Sequence, residues 1–109
     1  MSPLSEKVLV VLITAPKGRK AQTLAKGLVA ARLAACVNVV PGLISHYRWQ
    51  GRLHRDPECL LVVKTTRKKV AQLKGWIKTH HPYSNAELIC LSVVDGSADY
   101  LRWVAAQVS

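Results

Sequence analysis

Residues 8–13 form an unbroken apolar run rich in Val, Ile and Leu, as in a strand covered on both faces or central in a sheet. Thr14-Ala15-Pro16 and Gly18 are expected to end it, because proline and glycine interrupt regular elements. The period then changes. Ala21, Leu24, Ala25, Leu28 and Val29 recur at helical offsets while Lys20, Lys26 and Arg32 fall elsewhere, which predicts a first helix with those apolar side chains facing inward. Residues 36–49 return to a strand pattern, with Val37, Val39, Leu43, Tyr47 and Trp49 on one parity and Asn38, His46 and Arg48 on the other. Pro41-Gly42 should bend or bulge this strand. Gln50-Gly51 reads as a tight hairpin turn, since glycine accepts the positive φ that two-residue connections need. The return strand passes Leu53, is expected to break near Asp56-Pro57, and resumes over residues 59–64.

Thr65 or Thr66 is placed to cap a second helix whose inner face would be Val70, Leu73, Trp76, Ile77 and His80. His81-Pro82 ends it, because the residue before proline avoids the helical region. Residues 88–94 make another apolar strand, stopped at Asp95-Gly96. A third helix from about Ala98 would pack Leu101, Val104, Ala105 and Val108. The order βαββαβ plus a C-terminal helix is an α+β, ferredoxin-like pattern, spanning residues 1–109 as a single domain without repeats or linkers. Its central hairpin is long, and a small two-layer domain cannot bury Tyr47 and Trp49 near its tip, so both are expected to pack on neighbouring subunits.

Composition narrows the function classes. Half of the 109 residues are hydrophobic and 20% are charged, which excludes intrinsic disorder as the default state. Sixteen Lys and Arg against six Asp and Glu give a formal charge of +10, favouring anionic partners. A sphere of roughly 17 Å radius carrying that charge repels a surface dication by about 1.5 kcal/mol at physiological salt, which hinders metal binding without forbidding it. Cys36, Cys59 and Cys90 are an odd, widely spaced set, expected as reduced core thiols in a cytoplasm. The start of the chain, residues 1–7, has no apolar run of a secretory leader, and residues 8–13 are too few to cross a bilayer, so a non-exported protein without a membrane segment is expected.

Candidate chemistry is sparse. The third strand of an RNA-recognition motif stacks bases on aromatics, but Glu58-Cys59-Leu60-Leu61-Val62-Val63-Lys64 has none, so no nucleic-acid partner is expected there. Lys17, Arg19 and Lys20 open the first helix, and Arg67, Lys68 and Lys69 the second. These starts should lie at opposite ends of the sheet, which argues against one polyanion track on a subunit. His80, His81 and Glu87 flank a short proline-bent connection and are the best metal candidates, because imidazole and carboxylate suit Cu, Zn and Ni. Histidines at a helix end are also favoured by the dipole without any metal. No local signature couples a nucleophile to a base, and the scattered acids propose no carboxylate pair, so no catalytic residue is assigned.

Ala34-Ala35-Cys36-Val37-Asn38-Val39-Val40-Pro41-Gly42 and Ser45-His46-Tyr47-Arg48-Trp49-Gln50-Gly51-Arg52 resemble the CutA family of divalent-cation tolerance proteins. The resemblance continues through Thr14-Ala15-Pro16, Leu61-Val62-Val63-Lys64-Thr65, His80-His81-Pro82-Tyr83 with Glu87, and Asp99-Tyr100-Leu101-Arg102-Trp103. It implies a ferredoxin-like subunit in a tight homotrimer built by the extended hairpins, as in PII-type signalling trimers. It also implies a role in copper and other divalent-metal tolerance, a mainly cytoplasmic location and no enzymatic activity. The family's metal site maps to His80 or His81 and Glu87. Some relatives carry a Cys just before the Thr-Ala-Pro block where this chain has Ile13, so the soft ligand that Cu(I) favours is missing. Lys17, Arg19 and Lys20 replace acids common at the first helix, His46 and Gln50 stand where Ile and Glu are common, Arg52-Leu53-His54 replaces Lys-Ile-Glu, and Ala86 replaces a Pro.

These features give three expectations. A trimer would bind Cu or Zn weakly through His80 or His81 and Glu87 at a cleft between subunits. Alternatively, an inter-subunit cleft lined by Lys64, Tyr47 and Tyr83 would bind a small anionic metabolite. The third is a purely structural or partner-binding trimer.

Overall fold

A computed structural model describes residues 7–109. The reading of residues 1–7 as lacking a leader falls outside the described residues except at Lys7. In chain order the elements are β1 (Val8–Pro16), α1 (Arg19–Ala30), β2 (Cys36–Trp49), β3 (Arg52–Thr66), a 3-10 turn (Arg67–Lys69), α2 (Val70–His80), β4 (Ile89–Ser92) and α3 (Ala98–Gln107). The sheet order is β2-β3-β1-β4 with every neighbouring pair antiparallel, so the α+β, ferredoxin-like architecture holds.

Strand alternation assigns the two faces of the sheet. Val11 pairs with Val63 and Ile13 with Leu61, and all four are fully buried beneath Leu24 and Leu28 of α1 and Leu73 and Ile77 of α2. Burying a side chain of this size contributes about 1.5–3 kcal/mol. The helices approach closely where Trp76 crosses Gly27, since a Cβ there would lie 2.6 Å from the indole. A smaller cluster joins Leu101 and Val104 of α3, and Val108 just after it, to Val8 and Ala35.

The hairpin turn forms as expected. Gln50 and Gly51 take φ of 50° and 77°, the paired positive values of a type I′ turn. The bulge also forms, but with a consequence that parity counting misses. Val40 opposes Leu60 while Leu43 opposes Glu58, so one extra residue sits in β2. Val37 and Val39 therefore face the helices, whereas Leu43, Tyr47 and Trp49, opposite Glu58, His54 and Arg52, lie on the open face with Leu60 and Val62. The expected single apolar face of this strand is divided between both sides of the sheet.

Other boundaries differ from expectation for physical reasons. β1 runs through Thr14-Ala15 to Pro16, because Cys59 and Glu58 still pair with it. β3 does not break at Asp56-Pro57, where Ile44 opposes Pro57. β1 has ended by then, leaving β3 an edge that tolerates a missing N–H. Thr65 does not cap α2, since its hydroxyl donates to the Leu33 carbonyl at 2.7 Å, and Thr66 makes no side-chain cap. Within the chain Val29 and His80 are exposed rather than inward, and β4 is shorter than residues 88–94. Cys59 is a core thiol as expected, but Cys90 is exposed and Cys36 half-buried.

Candidate functional site

His81 leaves the helix with φ −75° and ψ 139°, as the following proline requires, and this turn carries its ring inward. It is 7% exposed, with Nε2 2.8 Å from the Thr14 carbonyl and Nδ1 accepting from the Tyr83 amide at 3.1 Å. An amide can only donate, so Nδ1 is the acceptor and Nε2 carries the proton donated to Thr14. Both nitrogens are engaged, and the ring ties α2 to β1. His80 lies outside on the last turn, stacked on Trp76 with ring centroids 4.0 Å apart. Its Nδ1 donates to the Trp76 carbonyl at 2.7 Å, which leaves the Nε2 lone pair for a ligand. Glu87 is exposed beyond Pro82. Among the described residues no three His, Cys, Asp or Glu side chains converge as a metal-binding group.

In a second cluster the sequence names Tyr47 and Tyr83 but misses the acids that hold them. Asp56 and Glu58 share one face of β3, and each accepts a tyrosine hydroxyl: Tyr47 donates to Asp56 Oδ2 at 2.5 Å and Tyr83 to Glu58 Oε2 at 3.0 Å. Tyr47 also stacks on His54 across the hairpin at 5.1 Å, and Tyr83 leans on His81 at 4.8 Å. Two of the six acids of a chain with +10 formal charge are thus held by phenols. Burial, and then the hydrogen bond to Glu58, pushes the Tyr83 hydroxyl up to about 12. The hydrogen bond to Asp56 raises that of Tyr47. The signal was available: once Gln50-Gly51 is the turn, counting back places Tyr47 opposite His54, two residues from Asp56.

Lys64 stands apart. Its ammonium donates to Asn38 Oδ1 and lies 3.8 Å from Cys36 Sγ, at the inner end of the hairpin. Tyr100 of α3 reaches the same thiol, and burial raises its hydroxyl above the ordinary value. His54, which opposes Tyr47, is ten residues from Lys64 along β3, roughly 33 Å at the rise of a strand. The chain therefore brings Tyr47 and Tyr83 to adjoining carboxylates and keeps Lys64 away from both. Tyr47 and Trp49 are 43% and 41% exposed near the hairpin tip.

Residues 9–107 match the family described as CutA1 divalent ion tolerance protein. The divalent-cation tolerance protein CutA of Thermus thermophilus is 52% identical over 95 residues, covering 87% of this chain and 92% of its own. The solved structure of a divalent cation tolerance protein from the same organism superposes with a TM-score of 0.91 at 48% identity, over 94% of this chain and 99% of that one. The solved structure of the periplasmic divalent cation tolerance protein CutA from Archaeoglobus fulgidus gives 0.89 at 30% identity, over 94% of this chain and 99% of that one.

Proposed function

The chain belongs to the CutA1 divalent ion tolerance family, and on that premise we propose that it works as a non-catalytic homotrimer that binds a divalent cation, copper or zinc, weakly between subunits. The observation that carries the reading is the uncovered apolar side of the sheet. Val40, Tyr47, Trp49, Ile89 and Leu91 are 40–50% exposed there. The accessible surface is 6931 Å², against about 6,000 Å² for a compact monomer of this mass. Assembly through this face and the hairpin would cover both.

Within a protomer the free Nε2 of His80 and the carboxylate of Glu87 are the donors that fit a cation of this class. His81, locked between Thr14 and Tyr83, would hold the loop rather than ligate. Two donors suffice only for weak binding, so a neighbouring subunit would complete the set. The free state of Cys36, Cys59 and Cys90 supports a reducing, cytoplasmic location. No helix among the described residues is long and apolar enough to cross a membrane.

Titration calorimetry with Cu²⁺ and Zn²⁺ tests the metal reading: a weak site is expected in the native protein and its loss in the His80→Ala, Glu87→Ala double variant. Heats unchanged by the double substitution defeat it. Because Lys64 lies away from the two tyrosines within one chain, a second reading needs the trimer to join them across subunits, where they would sense a small anionic metabolite as PII-type trimers do. Thermal shift with phosphates and carboxylates, abolished by Lys64→Ala, is its expected signature. Lack of any ligand in both assays leaves the purely structural or partner-binding trimer.

A further inference from the structure

We propose that the outer surface of the two-helix layer, α1 with α2, is a docking face for the sugar–phosphate backbone of double-stranded nucleic acid, bound without sequence preference. None of the six acids of the chain lies on either helix, whereas Arg19, Lys20, Lys26, Lys68, Lys74 and Lys78 stand exposed on this layer or at its margin. The two basic helix starts do lie at opposite ends of the sheet: Thr66, before α2, pairs with Val8, while His81, after it, reaches Thr14. The helices consequently run antiparallel, so that Lys26, beside the Gly27 that Trp76 crosses, falls opposite the middle of α2 while Lys78 lies toward the start of α1. Lys74 stands between the ends. Lys26, Lys74 and Lys78 thus place exposed positive charge along the layer between the two basic helix starts.

The chemistry of the face selects the occupant. Among the described residues of α1 and α2, Val29 is the sole large apolar side chain that stands exposed, so there is little to insert into a lipid layer and no exposed Phe, Tyr or Trp on which a single-stranded base could stack. Thr23, Ala30, Ala71 and Gly75 keep the outward surface shallow, and a Cβ at Gly75 would meet nothing within 4 Å. A flat cationic surface without stacking or reading side chains suits phosphate contacts, which carry affinity but no sequence information. The helices occupy the side of the sheet opposite the apolar face assigned above to assembly, so this surface stays outside whether or not the metal reading holds.

Fluorescence anisotropy with a labelled 20-base-pair DNA duplex, measured from 50 to 200 mM salt, tests the proposal. Neutralising about four phosphates per protomer predicts a log–log slope near −3.6, hence roughly 150-fold weaker binding across that range. Two duplexes of unrelated sequence should bind alike. Lys26→Gln, Lys74→Gln, Lys78→Gln together should weaken binding tenfold or more, while Lys7→Gln, Arg55→Gln, Arg102→Gln, the same charge change elsewhere, should leave it within about twofold. Circular dichroism and sedimentation of both triple variants must match the parent for the comparison to count, and Lys74→Gln alone, with a smaller loss in the same direction, serves if the helix triple does not fold. Absence of binding at 50 mM salt, equal losses in the two triple variants, or tighter binding to phosphatidylserine vesicles than to duplex overturns the proposal.

Discussion

The two faces of one sheet are treated differently by the same strands. On the helix side Val11, Ile13, Leu61 and Val63 are fully buried, and the core closes within the chain. On the other side Ile89 and Leu91 are 50% and 46% exposed opposite Leu12 and Val10, and only α3 covers the end near Val8. The residue types are alike, so hydrophobicity does not separate the faces. What separates them is whether the chain supplies a covering element. Exposed apolar faces of this extent mark interaction surfaces.

The largest test of this contrast is on the closed side. Leu61→Ala removes a side chain packed on every flank and should cost about 2–5 kcal/mol, seen as a lower urea midpoint with circular dichroism retained in water. A loss below about 1 kcal/mol would mean that this face is not the main core. On the open side, Ile89→Asp with Leu91→Asp should barely alter the far-ultraviolet spectrum yet weaken self-association by about 100-fold, because buried carboxylates are costly without partners. Sedimentation decides it, and an unchanged mass would remove the open face from the assembly. The smallest effect concerns the hairpin junction, where the phenols sit. Because the folded chain raises the Tyr83 pKa from 10.0 to about 12, it prefers the protonated phenol. That contribution is complete below about pH 10 and disappears as the pH climbs toward 12. Absorbance titration at 295 nm should show the Tyr83 phenol as a late step that moves toward 10 in Glu58→Ala, only part of the way because burial remains.

Much of the architecture can be read from local pattern. The run at Val8, the helical spacing from Ala21 and the hairpin turn at Gln50-Gly51 each express short-range rules of packing or backbone geometry. The candidate site was less legible. His80 and His81 are neighbours in sequence, and nothing in their spacing says that one is locked by Thr14 while the other keeps a free nitrogen. That depends on a strand residue 67 positions before His81 in the chain. Asp56 and Glu58 looked like a strand break and a lone acid until the register placed Tyr47 and Tyr83 on them.

Periodicity therefore determined which segments are helices and strands and in what order they come, because those choices rest on side chains within a turn or two of each other. Tertiary structure alone decided which way each segment faces after the one-residue bulge following Val40, since a single inserted residue exchanges the two sides of every position beyond it. It also decided that Lys64 lies far from Tyr47 and that the two acid-free helices run antiparallel, with their basic starts at opposite ends of the sheet. Those are distances between remote parts of the chain, and they exist only once the strands have chosen their partners.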